Sequence, residues 1–435
     1  MNLEEIRKVI EAVADPVCGK PLADLKAVQS VTEKDGTVAV HVTPGYPVKS
    51  TAAKIETAVK SALAAAGIEK AEVTVTGEIR AHRVQRMLKT LANVKNIIAV
   101  SSGKGGVGKS TVAANLALAL KEEGAKVGML DADIYGPSQP TMLAAEGRPE
   151  SLDGVNMEPI VSYGLEINSV GFMVDPGEPM IWRGPLVAQA LTQLLTQTAW
   201  HDLDYLVIDM PPGTGDIQLT LSQSVPVTGA IVVTTPQDIA LLDAKKGLRM
   251  FEKVNVPVLG IVENMALFKC PECGHLEHIF GEGGAERMSK QYNVPVLGQL
   301  PLETAIREQA DSGMPTVIAD PDGVTAGDVS ASLELPERYV LGTSPEVYAV
   351  YTVNGGDKQE STSVRVPAVL TGLDALLEAN AGRELDTASD VKPARTAGML
   401  IAISLACTAA AACATLCVMR VMRLRKTKKQ KPSKH

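Results

Sequence analysis

The sequence predicts an α/β protein built on a doubly wound, mostly parallel sheet, with a small α/β unit ahead of it and a tail of different texture behind. Three observations predict this. From Asn96 onward, near-continuous apolar runs that end in glycine or an acidic residue alternate with helix-length segments; such runs suit strands buried on both faces of a parallel sheet. A glycine-rich loop, Gly103–Thr111, stands between one of these runs and a helical segment. Residues 1–80 instead alternate apolar and polar positions, as half-buried strands do.

The elements follow in order. Ile6, Val9, Ile10 and Val13 recur at helical spacing, and Asp15-Pro16 stops that helix. Two alternating runs, Lys26–Thr32 and Thr37–Thr43, are joined through Lys34-Asp35-Gly36, a hairpin signal. A helix over Ser50–Ala66 is closed by Gly67, and a third strand covers Ala71–Thr76. Residues 81–95 read as a polar, basic linker. The main domain spans 96–325, with strands at Ile97–Val100, Lys126–Leu130, Tyr205–Ile208, Gly229–Val233 and Val258–Val262, and helices at Ser110–Glu122 and Ile239–Val254. Residues 326–396 form an acidic, unassigned segment with candidate strands at Val347–Val353 and Ser363–Leu370.

Composition removes some function classes. Aromatic residues are 3% of the chain, too sparse for stacking platforms, and the net charge of −8 gives no pull toward a phosphate backbone. No nucleic-acid partner is expected. The six cysteines are too few and too unevenly placed for a disulfide framework. The N-terminus is an acidic amphipathic helix without a long apolar core, hence no signal peptide; a cytoplasmic location is the expectation for the main domain.

The chemistry concentrates in Ile97–Thr111, IIAVSSGKGGVGKST. A buried strand runs into Gly103, Lys104, Gly105, Gly106, Val107, Gly108, Lys109, Ser110 and Thr111, then a helix. Glycines let backbone N–H groups converge on phosphates, and a helix N-terminus adds a favourable dipole. Lys109 is placed to neutralise the β- and γ-phosphates of ATP, and Ser110 to hold Mg²⁺ through its hydroxyl. Two strands end in carboxylates, at Asp131-Ala-Asp133 and at Leu206-Val-Ile-Asp209. Open α/β sheets put ligands at such strand ends. Asp209 is assigned as the water-mediated Mg²⁺ partner and Asp133 as the group that orients the attacking water. The following Met210–Asp216 reads as a switch loop in which the Gly213 amide senses the γ-phosphate.

The early Lys104 makes the loop resemble the deviant Walker A group of dimeric ATPases, which includes MinD- and ParA-like proteins and nitrogenase iron protein. That resemblance implies a homodimer in which Lys104 reaches the partner's nucleotide, so that Lys104, Lys109 and Asp133 form the catalytic set. Further segments narrow the likeness: Asp131–Pro140, Trp182-Arg-Gly-Pro185, Asp209–Gln218, Val262-Glu-Asn-Met265, Cys270-Pro-Glu-Cys-Gly274, Ile279-Phe-Gly281 and Pro301-Leu302. Over about 96–320 they resemble the Mrp-type iron–sulfur cluster carrier ATPases, and residues 1–80 resemble the small domain often joined ahead of them, although Cys18 stands where a plainer residue is expected. The resemblance implies an ATP hydrolase that carries an iron–sulfur cluster and delivers it to apoproteins, with Asn264 recognising adenine.

Cys270 and Cys273 are soft ligands suited to iron or zinc. One C-x-x-C supplies two ligands where a cubane wants four, and a twofold dimer brings the other two; a 4Fe-4S cluster is the expectation. A zinc site of Cys270, Cys273, His275 and His278 and a redox dithiol are the competing readings. A MinD/ParA-like positioning switch at a membrane is the alternative function, and a zinc-stabilised ATPase a third. It is the C-terminus that favours a membrane: residues 397–419 form a candidate transmembrane helix, uncharged over Gly398–Met419, followed by the basic tail 420–435. As a single span it would set the ATPase on the side away from ATP by the positive-inside rule, so a tail anchor competes with a fused tail and a gene-model artefact.

Overall fold

A computed structural model describes residues 1–321, except 83, 85–87 and 174–183, together with two strands beyond them. Trp182 and Arg183, the Ser363–Leu370 run and the whole of 397–435 lie outside the described residues.

The N-terminal unit begins with α1 (Leu3–Glu11). The Asn2 side chain accepts from the Glu5 amide and the Glu5 carboxylate accepts from the Asn2 amide, so two N–H groups that a helix start leaves free are satisfied. β1 (Val28–Lys34) and β2 (Thr37–Val42) pair antiparallel around Asp35-Gly36, both at positive φ, as a tight hairpin turn requires. α2 (Ala52–Ala65) crosses over so that β3 (Ala71–Val75) pairs parallel with β2. Ile6, Ile10, Ile55, Val59 and Leu63 of the helices meet Val38, Val40 and Val42 in one buried cluster.

The segment read as a plain linker is docked where it is described. Arg80 donates to the carbonyls of Leu25, Lys26 and Thr43, and the buried His82 and Arg80 backbones bond the side chain of Asn96. Further along, the Ser50 amide donates to the Glu123 carboxylate at 2.9 Å.

The main sheet then assembles from β4 (Val94–Ser102), β5 (Val127–Asp131), β6 (Ile160–Ser162), β7 (Leu165–Ser169), β8 (Leu203–Asp209), β9 (Gly229–Thr234) and β10 (Val258–Glu263). A separate hairpin of β11 (Phe268–Lys269) and β12 (Leu276–Glu277) precedes its last strand, β13 (Val296–Gln299). The eight strands of the sheet lie in the order β13-β10-β9-β4-β8-β5-β7-β6. Every pairing is parallel except that of β6 with β7. Helices α3 (Lys109–Glu122), α4 (Gln139–Met142), α5 (Gly184–Thr196), α6 (Asp216–Ser224), α7 (Asp238–Lys253) and α8 (Gly284–Tyr292) connect them.

Every residue of β5, β8 and β9 is buried. The reason is visible in the two apolar layers. Ile98, Val100, Met129, Val207 and Ile231 pack toward α3, and Ile97, Ala99, Leu130, Ile208 and Val232 face the other layer with Leu248 and Phe251 of α7. Alternate residues of one strand thus enter different cores, which produces the continuous apolar runs. The chain winds outward from β4 to β5, then returns to β8 and crosses to β9. The carboxyl ends on either side of β4 are therefore a topological switch point, where such sheets bind ligands.

The short β6, β7, β11, β12 and β13 have too few residues for a periodicity to register. Beyond the domain, β14 (Val329–Glu334) and β15 (Tyr348–Val353) pair antiparallel, the second matching the run expected at Val347–Val353. Among the described residues no helix is long and apolar enough to cross a membrane.

Candidate nucleotide and thiol sites

β4 delivers the chain to the glycine-rich loop and α3 carries it away. Gly106 and Gly108 sit at φ 81° and 82°, the left-handed region that glycine enters without strain. A Cβ on Gly108 would stand 2.1 Å from Nδ2 of Asn264, and one on Gly103 would stand 2.1 Å from the backbone of Asp243 in α7. Space demands glycine at Gly103, where the neighbour is backbone, and φ favours it at Gly106 and Gly108; the open side of Gly106 has nothing within 4 Å of a Cβ. Val107 is buried, Gly105 exposed, and Thr111 lies in the first turn of α3.

Lys104 and Lys109 have opposite surroundings. Lys104 is exposed, and its carbonyl accepts from the Ser102 hydroxyl at 2.9 Å. Lys109 is buried among carboxylates: its Nζ lies 2.5 Å from Oδ1 of Asp209 and 3.8 Å from Oδ2 of Asp133, and donates to Oγ of Ser110 at 3.2 Å. Asp131 stands directly opposite Asp209 on the neighbouring strand. Burial first, and the Asp209 charge second, push the Asp131 carboxyl up to about 7. Burial also raises Asp133, against the pull of Lys109.

Among the described residues the acids do not form a metal cage of their own, but the Ser110 hydroxyl and the Asp209 carboxylate beside a phosphate loop are the hard oxygen ligands a divalent cation takes when phosphates and water complete its shell. Buried Gln139 strengthens that fit. Its Oε1 has no hydrogen-bond partner among the described residues, while its Nε2 donates to Oδ2 of Asp209 and to the Ser110 carbonyl. Ser110 would hold the Mg²⁺ and Asp209 would act through water. When bound, the ion would neutralise phosphate charge.

Two predicted side roles look different in place. The Gly213 amide donates to the Ser102 carbonyl at 2.9 Å, so it ties the switch loop to β4. Asn264 donates from Nδ2 to the Val107 carbonyl and accepts from the Met265 amide; its side chain braces the phosphate loop itself. Asp131 is visible in the sequence only as a carboxylate at a strand end, and Gln139 and Gln218 carry no signal of their own in residue type. Gln218 reaches back from α6 to donate to the Pro211 carbonyl and to Ser101 Oγ. Only their burial beside Asp209 and the loop marks them.

The thiol pair sits on a knuckle between β11 and β12. The Cys270 amide donates to the His275 carbonyl and the Gly274 amide to the Cys270 carbonyl, each at 2.9 Å, with Gly274 at φ 70° closing the turn. This fold of the backbone sets Cys270 half-buried and Cys273 exposed. N–H groups of Cys273 and Glu272 aimed at its sulfur lower the Cys270 thiol below its ordinary range and favour the ligating thiolate. His278 is engaged through Nδ1 with the Ala266 carbonyl. Among the described residues no group of three or more Cys, His, Asp or Glu side chains is arranged to hold a metal ion; the four-ligand zinc reading therefore has no support within one chain.

A strand, a glycine loop and a helix, with a carboxylate-ended strand alongside, define a P-loop NTPase. Comparison with known proteins refines this. Residues 93–334 match the model of the NUBPL iron-transfer P-loop NTPases, and residues 3–75 match that of iron–sulfur cluster assembly proteins. An iron–sulfur cluster carrier protein of Haemophilus influenzae is 51% identical over 79% of this chain and 92% of its own length. One from Pseudomonas fragi is 63% identical over 60% and 91% respectively. Among solved structures, a nucleotide-binding protein of Archaeoglobus fulgidus in complex with ADP is 39% identical over 51% of this chain and 88% of its own, at a TM-score of 0.46. The chain belongs to the NUBPL-type iron-transfer P-loop NTPase family. The family match names iron transfer and not the alternative of a MinD/ParA-like positioning switch.

Proposed function

We propose that this protein is an ATP-hydrolysing carrier that receives an iron–sulfur cluster and passes it to apoproteins. The observation that carries the reading is the pairing, in one chain of this family, of a phosphate loop with two solvent-facing thiols that lack further protein ligands among the described residues. A cluster bound by such a pair needs ligands from elsewhere, and a second copy of the chain supplies Cys270 and Cys273 again. That places a 4Fe-4S cargo between two subunits. A cargo held by a surface knuckle is accessible to a recipient, which suits delivery.

The nucleotide half works by positioning and charge. The loop amides of 103–111 and the Lys109 ammonium hold the phosphates, drawing Lys109 from Asp209 toward the ligand. Asp133, whose carboxyl burial has lifted, orients the water that attacks the γ-phosphorus as the bond to the β-phosphate oxygen breaks. The exposed Lys104 extends to the partner subunit's nucleotide, the deviant Walker A role, and adds a cation where transition-state charge grows. Asn264 supports the base from beneath the loop it braces. Hydrolysis relaxes 131–140 and 209–218, loosening the dimer and its grip on the cargo. Such an assembly works where ATP is, on the cytoplasmic side; any membrane association through 397–419 is separate from the chemistry.

Anaerobic reconstitution with iron and sulfide tests the reading. Sulfur-to-iron charge-transfer absorption is expected in the wild type and lost in Cys270→Ala and Cys273→Ala; an unchanged spectrum in both variants refutes the assigned site.

A further inference from the structure

Gln139 is wholly buried, yet it carries a polar side chain at the junction of the three segments that build the nucleotide site. Its backbone amide donates to Oδ2 of Asp131 at 3.1 Å, at the end of β5. Its Nε2 donates to Oδ2 of Asp209 at 2.9 Å, at the end of β8, and to the Ser110 carbonyl at 3.0 Å, at the start of α3. Both Nε2 contacts are acceptors, so the nitrogen and oxygen of the amide are not interchangeable here. The oxygen, Oε1, must therefore occupy the other position, and it is buried with no hydrogen-bond partner.

An orphaned acceptor in such surroundings carries its desolvation penalty uncompensated. An apolar residue of the same shape would avoid that cost. What the position offers in return is an oxygen next to Ser110 and Asp209, where a hydrated cation presents water O–H groups. Each of those is a donor, and no donor from the protein is there among the described residues. The neighbouring Ser138 hydroxyl is likewise buried and has no hydrogen-bond partner among the described residues.

We propose that Gln139 is a positioning residue for the divalent cation of the nucleotide site: its amide nitrogen fixes the Asp209 carboxylate against Ser110, and its amide oxygen accepts from the hydration shell of the ion. This rests on the reading of Ser110 and Asp209 as the magnesium end of that site and deepens it. Gln139 touches neither the phosphates nor the reacting water. It acts through the metal's outer shell, and it ties the 131–140 segment to that shell. The segment is thereby made sensitive to whether the ion is present.

The test is ADP binding, by titration calorimetry, with EDTA and again with saturating Mg²⁺, for wild type, Gln139→Met and Gln139→Glu. Methionine keeps length and flexibility but offers no N–H and no strong acceptor. Glutamate keeps an acceptor oxygen but replaces the donor nitrogen, facing Asp209, with a second anion. In EDTA the affinity of Gln139→Met should lie within about twofold of wild type, while the gain on adding Mg²⁺ falls about tenfold. Gln139→Glu should bind poorly in EDTA and gain more from Mg²⁺ than wild type, because the cation relieves the added charge. A residue that merely braces the loop would shift both conditions equally. Gln139→Met retaining the full wild-type gain would overturn the inference alone. A wild type without any magnesium gain would overturn the magnesium-site reading, and this inference with it. Should Gln139→Met not fold, the Gln139→Glu comparison decides in the same way: a gain no larger than that of wild type counts against the proposal.

Discussion

Replacing Lys109 by methionine isolates the electrostatic core of the nucleotide site. The Lys109 side chain is 6% exposed and its closest partner, Asp209, is 0% exposed, with Nζ and Oδ1 2.5 Å apart. Asp133 lies 3.8 Å away on the other side, and Asp131 faces Asp209 across the strand pair. Truncation leaves the fully buried Asp209 carboxylate without its cation. Breaking a buried pair by removing one member costs about 3–5 kcal/mol, mostly the penalty on the charge left behind. For a domain of this size each kcal/mol is worth about 2–4 °C, so nucleotide-free Lys109→Met should melt about 6–20 °C below wild type in EDTA. Removing the stranded charge as well must recover much of that loss, since the Lys109→Met, Asp209→Asn double variant has neither charge. Calorimetry or denaturant unfolding of the four proteins in the cycle gives the coupling directly. If Lys109→Met unfolds within about 2 °C of wild type, or Asp209→Asn returns nothing, the pair is not the electrostatic keystone argued here.

Three further outcomes follow from other parts of the structure. Because burial holds the Asp131 carboxyl at about 7 rather than the ordinary 3.8, the metal-free native state keeps a proton that the unfolded chain has lost. Stability should fall as pH rises between those values, by at most about 4 kcal/mol, and the fall should vanish in Asp131→Asn; parallel curves for the two proteins would count against the burial argument. Cys18 is buried beside Asp15, which, after burial itself, pushes its thiol up to about 12; alkylation of the native protein at pH 8 should modify Cys270 first and Cys273 next, and leave Cys18 until denaturant is added. Gly103→Ala should abolish nucleotide binding and destabilise the domain, since the new methyl meets the Asp243 backbone rather than a side chain that can swing aside; nucleotide affinity near wild type would show that α7 yields more easily.

Much of this was legible in the residues. Buried parallel strands leave continuous apolar runs because both faces are covered, and the loop glycines stand out because nothing larger fits against Asn264 or Asp243. The strand ends at Asp131 and Asp209 were visible as single acids closing apolar runs. Which acid does what is less legible: the sequence reading gives the water-orienting role to Asp133, whereas it is Asp131, paired across the sheet with Asp209, that burial pushes up to about 7. Gln139 could not be picked out, because a glutamine in a loop looks solvated until the fold buries it between two strand ends. The short β6, β11 and β12 are set by tertiary pairing, and the docking of Arg80 and His82 on neighbouring carbonyls and Asn96 depends on contacts distant in sequence. A polar, basic stretch reads as linker unless its partners are known.

If two chains, drawn together by nucleotide, hold one cluster between four thiolates, native mass spectrometry of the anaerobically reconstituted, ATP-loaded protein should show about four iron and four sulfide travelling only with the dimer. The cluster mass should disappear from Cys270→Ala while the dimer persists. A cluster carried by the monomer, or a dimer loaded with zinc and no sulfide, would contradict that arrangement.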